Sequence, residues 1–134
     1  DRRRMMAMAE TDFERVVSAL VPRLLSPAHQ RDAAIVSTVR AMARATGKDA
    51  YRRQQQAIIA RPDSRPHLAA IRCPTLVLCG AEDVLTPPAL HEEMAAGIAG
   101  SRLVIAPGSG HLSPLEAPAL VTHNLRHWLS GLPA

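Results

Sequence analysis

Ile71-Arg72-Cys73-Pro74-Thr75-Leu76-Val77-Leu78-Cys79-Gly80-Ala81-Glu82-Asp83-Val84-Leu85-Thr86-Pro87 decides the fold. From Leu76 to Cys79 the residues are apolar without polar alternation, the pattern of a strand covered on both faces in a parallel sheet. Pro74 opens the run and Gly80 ends it. An acidic loop follows, and Thr86-Pro87-Pro88 reads as the cap and first turn of a helix. Open parallel sheets gather their ligands and chemistry just past the C-terminal ends of their strands, which makes Asp83 a candidate site residue.

The same grammar repeats downstream. Leu90, Met94 and Ile98 are spaced as the buried seam of a helix, and Gly100 follows its end. Ser101 to Ala106 reads as a second strand, Pro107-Gly108-Ser109-Gly110 as a turn, and His111 stands where the next helix begins. A right-handed crossover would make the strands parallel and open both loops at one sheet edge, where Asp83 and His111 are expected to meet. Ser113-Pro114-Leu115-Glu116 has the spacing of a capping box, and the last helix is expected to bury Val121, Leu125, Trp128 and Leu129.

Cys73-Pro74-Thr75-Leu76-Val77-Leu78-Cys79-Gly80-Ala81-Glu82-Asp83 with Thr86-Pro87-Pro88, then Gly108-Ser109-Gly110-His111-Leu112 and Glu116, resembles the C-terminal end of the α/β-hydrolase family. The likeness covers roughly residues 66–134. It implies that Asp83 is the acid and His111 the base of a catalytic triad, that Glu82 is a solvated neighbour, and that no cofactor is needed. In that family the nucleophile precedes both on a G-x-S-x-G elbow. No such motif occurs here, and Ser109, two residues before His111, lies in a loop without the strand-turn-helix setting. We therefore expect the chain to be the C-terminal fragment of an α/β-hydrolase fold: a helical cap followed by a β-α-β-α unit of parallel sheet.

Upstream of the strands the pattern is helical. Thr11-Asp12-Phe13-Glu14 fits a capping box, and Phe13, Val16, Val17, Leu20, Val21, Leu24 and Leu25 form one apolar stripe, with Pro22 expected to kink or end it. Ser26-Pro27 is read as the next helix start. Ile35, Val36, Val39, Met42 and Ala43 continue a stripe until Thr46-Gly47, and a third helix runs from about Asp49 to Ala60 before Pro62. Arg61 to Pro66 is rich in turn residues, so the boundary is set between residues 1–62, the cap of about three helices, and residues 63–134, the C-terminal part of the core. Within the cap Met5, Met6, Met8, Phe13, Val17 and Tyr51 are the candidates to touch an apolar substrate, against the plainer reading that they pack the cap on itself.

Composition narrows the classes. The formal charge is +4, but Lys48 is the only lysine, and the arginines are scattered apart from Arg2-Arg3-Arg4, read as a solvated helix start or a frayed terminus. Aromatic residues make up 2% of the chain, too few for a nucleic-acid stacking platform. Cys73 and Cys79 bracket one strand, too far apart for a disulfide, and are read as reduced core thiols. No stretch suits a membrane span or signal peptide, which makes a cytoplasmic protein the default. His123 and His127 share a helix face at metal-ligand spacing, but without H-E-x-x-H or a third ligand they read as solvent-facing. Asp63 reads as a local turn residue.

The function expected is that of a serine-type hydrolase acting on an ester or lactone of a small apolar substrate. Carbon–carbon bond hydrolysis, epoxide opening and dehalogenation run on the same fold and stay open. The expected partners are the missing N-terminal half or a second copy, with no nucleic acid and no membrane. The rival expectation is a non-catalytic module that binds a partner or itself, because a sheet of two strands is marginal alone.

Overall fold

The computed structural model describes residues 1–132. Three helices come first: α1 (Arg2–Thr11), α2 (Phe13–Leu24) and α3 (Ala33–Ala60). They pack on one another around Met5, Ala9, Val16 and Tyr51, while Val21, Leu25 and Val39 form a second cluster that Leu112 and Leu115 cover from the far end of the chain. The α2 stripe is buried as its spacing demands, with Val16, Val17, Val21 and Leu25 inside.

Helix boundaries differ from the sequence expectation, for local reasons. Residues 2–11 form a helix of their own, and Thr11 is its last residue rather than a cap; the Thr11 hydroxyl donates back to the Met8 carbonyl. Asp12 caps α2 instead, accepting the Arg15 N–H at 2.9 Å. Glu14 does not close a capping box but makes a bidentate pair with Arg44 on α3, at 2.8 and 2.9 Å. Pro22 lies inside α2, which runs two residues beyond it. The carbonyl that loses its donor is that of Ser18, on the exposed face, where water can serve it.

Ser26 does not start α3. The chain passes through a 3-10 turn, His29–Arg31, and Asp32 is the cap, accepting from the N–H groups of Ala34 and Ile35. Gly47 breaks α3 as the sequence suggests: at φ 76° and ψ 164° its backbone is one that side-chain-bearing residues rarely adopt. Met42, expected in the buried stripe, is exposed.

Asp63 makes its local turn, accepting the Arg65 N–H and guanidinium; the guanidinium and N–H hydrogen bonds hold its carboxyl down to about 2. A 3-10 helix, Arg65–Ala70, then leads to β1 (Leu76–Gly80). Helix α4 (Pro88–Gly97) crosses to β2 (Arg102–Ala106), which pairs parallel to β1 from Leu76↔Arg102 to Gly80↔Ala106. Helices α5 (Ser113–Glu116) and α6 (Pro118–Ser130) complete the described chain.

Several seams expected to be buried are open. In α4 only Ile98, its C-terminal cap residue, is enclosed, while Leu90 and Met94 are exposed. In α6 Val121 is buried and Trp128 half-buried, but Leu125 and Leu129 face outward. Asn124 is turned inward instead, because its Oδ1 accepts from Arg102 at 2.8 Å and its Nδ2 donates to the Leu120 carbonyl. Two strands offer less surface than these helices have apolar residues. Cys79 is buried, and burial pushes its thiol up, with the charges of Asp83 and Glu92 adding to the effect. Cys73 is no core thiol: it is exposed in the bend before β1. No described helix is long and apolar enough to cross a membrane.

Candidate active site

Parallel pairing puts the ends of β1 and β2 side by side, so the loops that leave them meet. The Ala81 N–H donates to the Ala106 carbonyl at 2.8 Å and the Glu82 N–H to the Ser109 carbonyl at 2.9 Å, stitching one loop to the other. Gly80 permits this approach. A β-carbon there would run into the backbone of Ser109 and Gly110.

Within this frame His111 Nδ1 lies 2.8 Å from Asp83 Oδ2. The Asp83 side chain is 3% exposed and that of His111 35%, so a buried carboxylate supports an imidazole that still reaches solvent. Three further donors fix the carboxylate: the N–H groups of Leu85 and Thr86 on Oδ1, at 2.8 and 2.9 Å, and the Thr86 hydroxyl on Oδ2, at 2.8 Å. Thr86 thus serves Asp83 rather than capping α4, whose first turn opens after Pro87. Burial alone would raise the Asp83 carboxyl, but the hydrogen bonds from Thr86, His111 and Leu85 outweigh it and hold the group below its ordinary value. A charged acceptor facing Nδ1 selects the tautomer with the proton on Nδ1, leaving Nε2 free to accept one. Glu82 is exposed and contributes only its backbone N–H.

His111 stands in the wall of a cavity of about 630 Å³ between the helices and the β1 loop. Of the residues expected to line it, Met5, Phe13, Val17 and Tyr51 do, whereas Met6 and Met8 do not. Burial raises the Tyr51 phenol, against a smaller opposing effect of Arg2 and Arg23, so it stays protonated. Sequence reasoning missed Val84 and Leu85 as lining; the signal was an apolar pair directly after the acid in a surface loop. Ser109 is fully buried, its Oγ without a partner among the described residues, and cannot present a hydroxyl to the cavity.

The other candidates fall outside this arrangement. His127 Nδ1 lies 2.9 Å from the Arg102 guanidinium, which can only donate, so that nitrogen accepts a hydrogen bond rather than binding a cation. Among the described residues no three His, Cys, Asp or Glu side chains cluster as metal ligands would. Glu116, expected to cap its own helix, points away from it. Its two oxygens accept the N–H groups of Gly110 and Ser26.

The sequence pattern of the Alpha/beta hydrolase family matches residues 2–123. The chain belongs to the alpha/beta hydrolase family. Among curated relatives, the putative carbamate hydrolase RutD of Escherichia coli (strain K12 / DH10B) is 30% identical over 92 residues, 69% of this chain and 34% of that protein. A thermophilic esterase from Thermogutta terrifontis superposes with a TM-score of 0.88 at 33% identity, over 96% of this chain and 48% of that one. The enol-lactonase from Burkholderia xenovorans LB400 gives 0.85 at 28% identity, over 94% and 48%. The chain therefore spans about a third of that curated relative and about half of these solved structures. The two parallel strands, with the helices before, between and after them, are the part of the α/β-hydrolase fold that it contains.

Proposed function

We propose that this chain supplies the acid and the base of a serine-type hydrolase that cleaves an ester or lactone of a small apolar substrate. The observation that carries the reading is the 2.8 Å contact between His111 and a nearly fully buried, hydrogen-bonded Asp83, opening on a cavity whose wall combines apolar side chains such as Phe13, Val17 and Leu85 with Arg2, Arg23 and Arg61. In it, His111 Nε2 takes the proton of a serine hydroxyl as the oxygen attacks the substrate carbonyl. The resulting imidazolium is stabilised by Asp83 and returns the proton to the leaving alkoxide; a second cycle with water frees the acid. Relatives described as an esterase and an enol-lactonase favour this class of bond.

Residues 1–62 act as the cap that shapes the pocket and residues 63–134 as the end of the core. The nucleophile lies on a preceding part of the same protein, whose strands would cover Ile105, Leu125 and Leu129, all exposed here. The test is His111→Ala in the protein of the complete reading frame, assayed on p-nitrophenyl esters. We expect kcat to fall about 10⁴-fold with KM changed little. Retained turnover would overturn the assignment, and a preceding sequence without a nucleophile elbow would favour a non-catalytic module.

A further inference from the structure

Glu116 is a charged side chain with 0% exposure, and the chemistry above makes no use of it. Such a group persists inside a protein only when its charge is met by donors. Here each donor belongs to a segment that matters to the site. Oε1 accepts the Gly110 N–H at 2.9 Å, one residue before His111. Oε2 accepts the Ser26 N–H at 2.7 Å, in the turn after α2, and lies 3.2 Å from His29 Nδ1. His29 Nδ1 is in turn 2.9 Å from the Ser26 hydroxyl.

The two segments that Glu116 joins touch through their backbones as well. The Leu112 N–H donates to the Leu24 carbonyl at 3.2 Å, and a β-carbon on Gly110 would lie 2.7 Å from the Ser26 nitrogen. His111 is thus flanked by two anchored residues, Gly110 and Leu112. On the sheet side the loop hangs from the Ser109 carbonyl through the Glu82 N–H; on the helical side the only side chain in the described hydrogen bonds to hold it is that of Glu116.

We propose that Glu116 is a positioning residue for the base: its carboxylate fixes the loop of His111 against the turn at Ser26, so that the imidazole meets Asp83 at bonding distance and keeps its orientation toward the cavity. This rests on the reading of His111 as the base. Chemistry asks for a carboxylate at this point, because both oxygens accept from main-chain N–H groups that have no freedom to turn. A carboxamide of the same shape offers one acceptor and one donor, so Glu116→Gln sets an N–H against an N–H on one side and leaves the fold's packing in place.

The experiment is a double-mutant cycle between Glu116→Gln and Asp83→Asn in the full-length enzyme, with kcat and KM for a p-nitrophenyl ester and the melting temperature of each variant. A misplaced base should lower kcat roughly 10- to 100-fold in Glu116→Gln, with KM within about threefold. In the Asp83→Asn background the same change should lower kcat less than about threefold, since the pair it serves is already broken. A loss of equal factor in both backgrounds, or one restored by simply lowering the assay temperature, means a structural role only and overturns the proposal.

A second readout stands apart from catalysis. In proton NMR the far-downfield N–H resonance of an imidazole bonded to a carboxylate should be seen in the wild type, vanish in Asp83→Asn and broaden or vanish in Glu116→Gln. If Glu116→Gln leaves it sharp and unshifted, Glu116 does not position His111. If Asp83→Asn and His111→Ala both turn over normally while the resonance still depends on Glu116, the base assignment fails and the positioning role stands.

Discussion

The helices of residues 1–60 and the paired loops after β1 and β2 are held in different ways. Ion pairs between the helices lie on the surface: Arg44 with Glu14 and Lys48 with Glu10 join charges whose side chains are about half exposed. Water competes for such pairs and salt screens them, so the helices depend on the burial of Val16, Val17 and their neighbours. Around the strands the proportion is reversed. Main-chain groups of Ala81, Glu82, Ala106 and Ser109 bond directly to one another, and the two carboxylates inside this region, Asp83 and Glu116, take backbone donors. The exposed side chains of the helices can therefore vary, whereas the loops cannot vary their backbone.

The largest effect of a single substitution is expected at Gly80. Gly80→Ala places a methyl group in the backbone of Ser109 and Gly110, where nothing can rotate away. We expect a loss of roughly 3 kcal/mol or more in urea unfolding of the full-length protein, above the usual range for overpacking. A near-wild-type midpoint would show that the loops are softer than described. The smallest is expected at Arg44. Despite its bidentate geometry, Arg44→Ala should leave the melting curve unchanged within its scatter at physiological salt, because both partners are exposed. A clear downward shift would mean that ion pairs do hold the helices.

The sequence displayed the strands and the site pair because both are local statements: an apolar run, a glycine, then Asp83 in one loop and His111 in the next. The parallel register supplied the rest. Helix starts were less legible. Thr11 and Asp12 are both good caps, as are Ser26 and Asp32, and only the fold decides which side chain faces a free N–H group. Of helix α1 only the start at Arg2-Arg3-Arg4 was legible, because no side-chain cap marks it. The hydrogen bond from the Ser26 N–H to Glu116 spans 90 positions, so the local capping-box reading was the natural one and the structure corrects it.

In the proposed reading Asp83, and not its neighbour Glu82, is the acid that holds His111. The measurement is kcat for Asp83→Asn beside Glu82→Gln in the full-length enzyme. Asp83→Asn keeps the shape but removes the charge that fixes the imidazole tautomer, and should lower kcat by about 10⁴-fold. Glu82→Gln removes an exposed charge and keeps the backbone N–H that the loop uses, and should stay within about twofold of wild type. If Asp83→Asn retains most of its turnover, or Glu82→Gln is as damaging, the assignment of the acid is wrong.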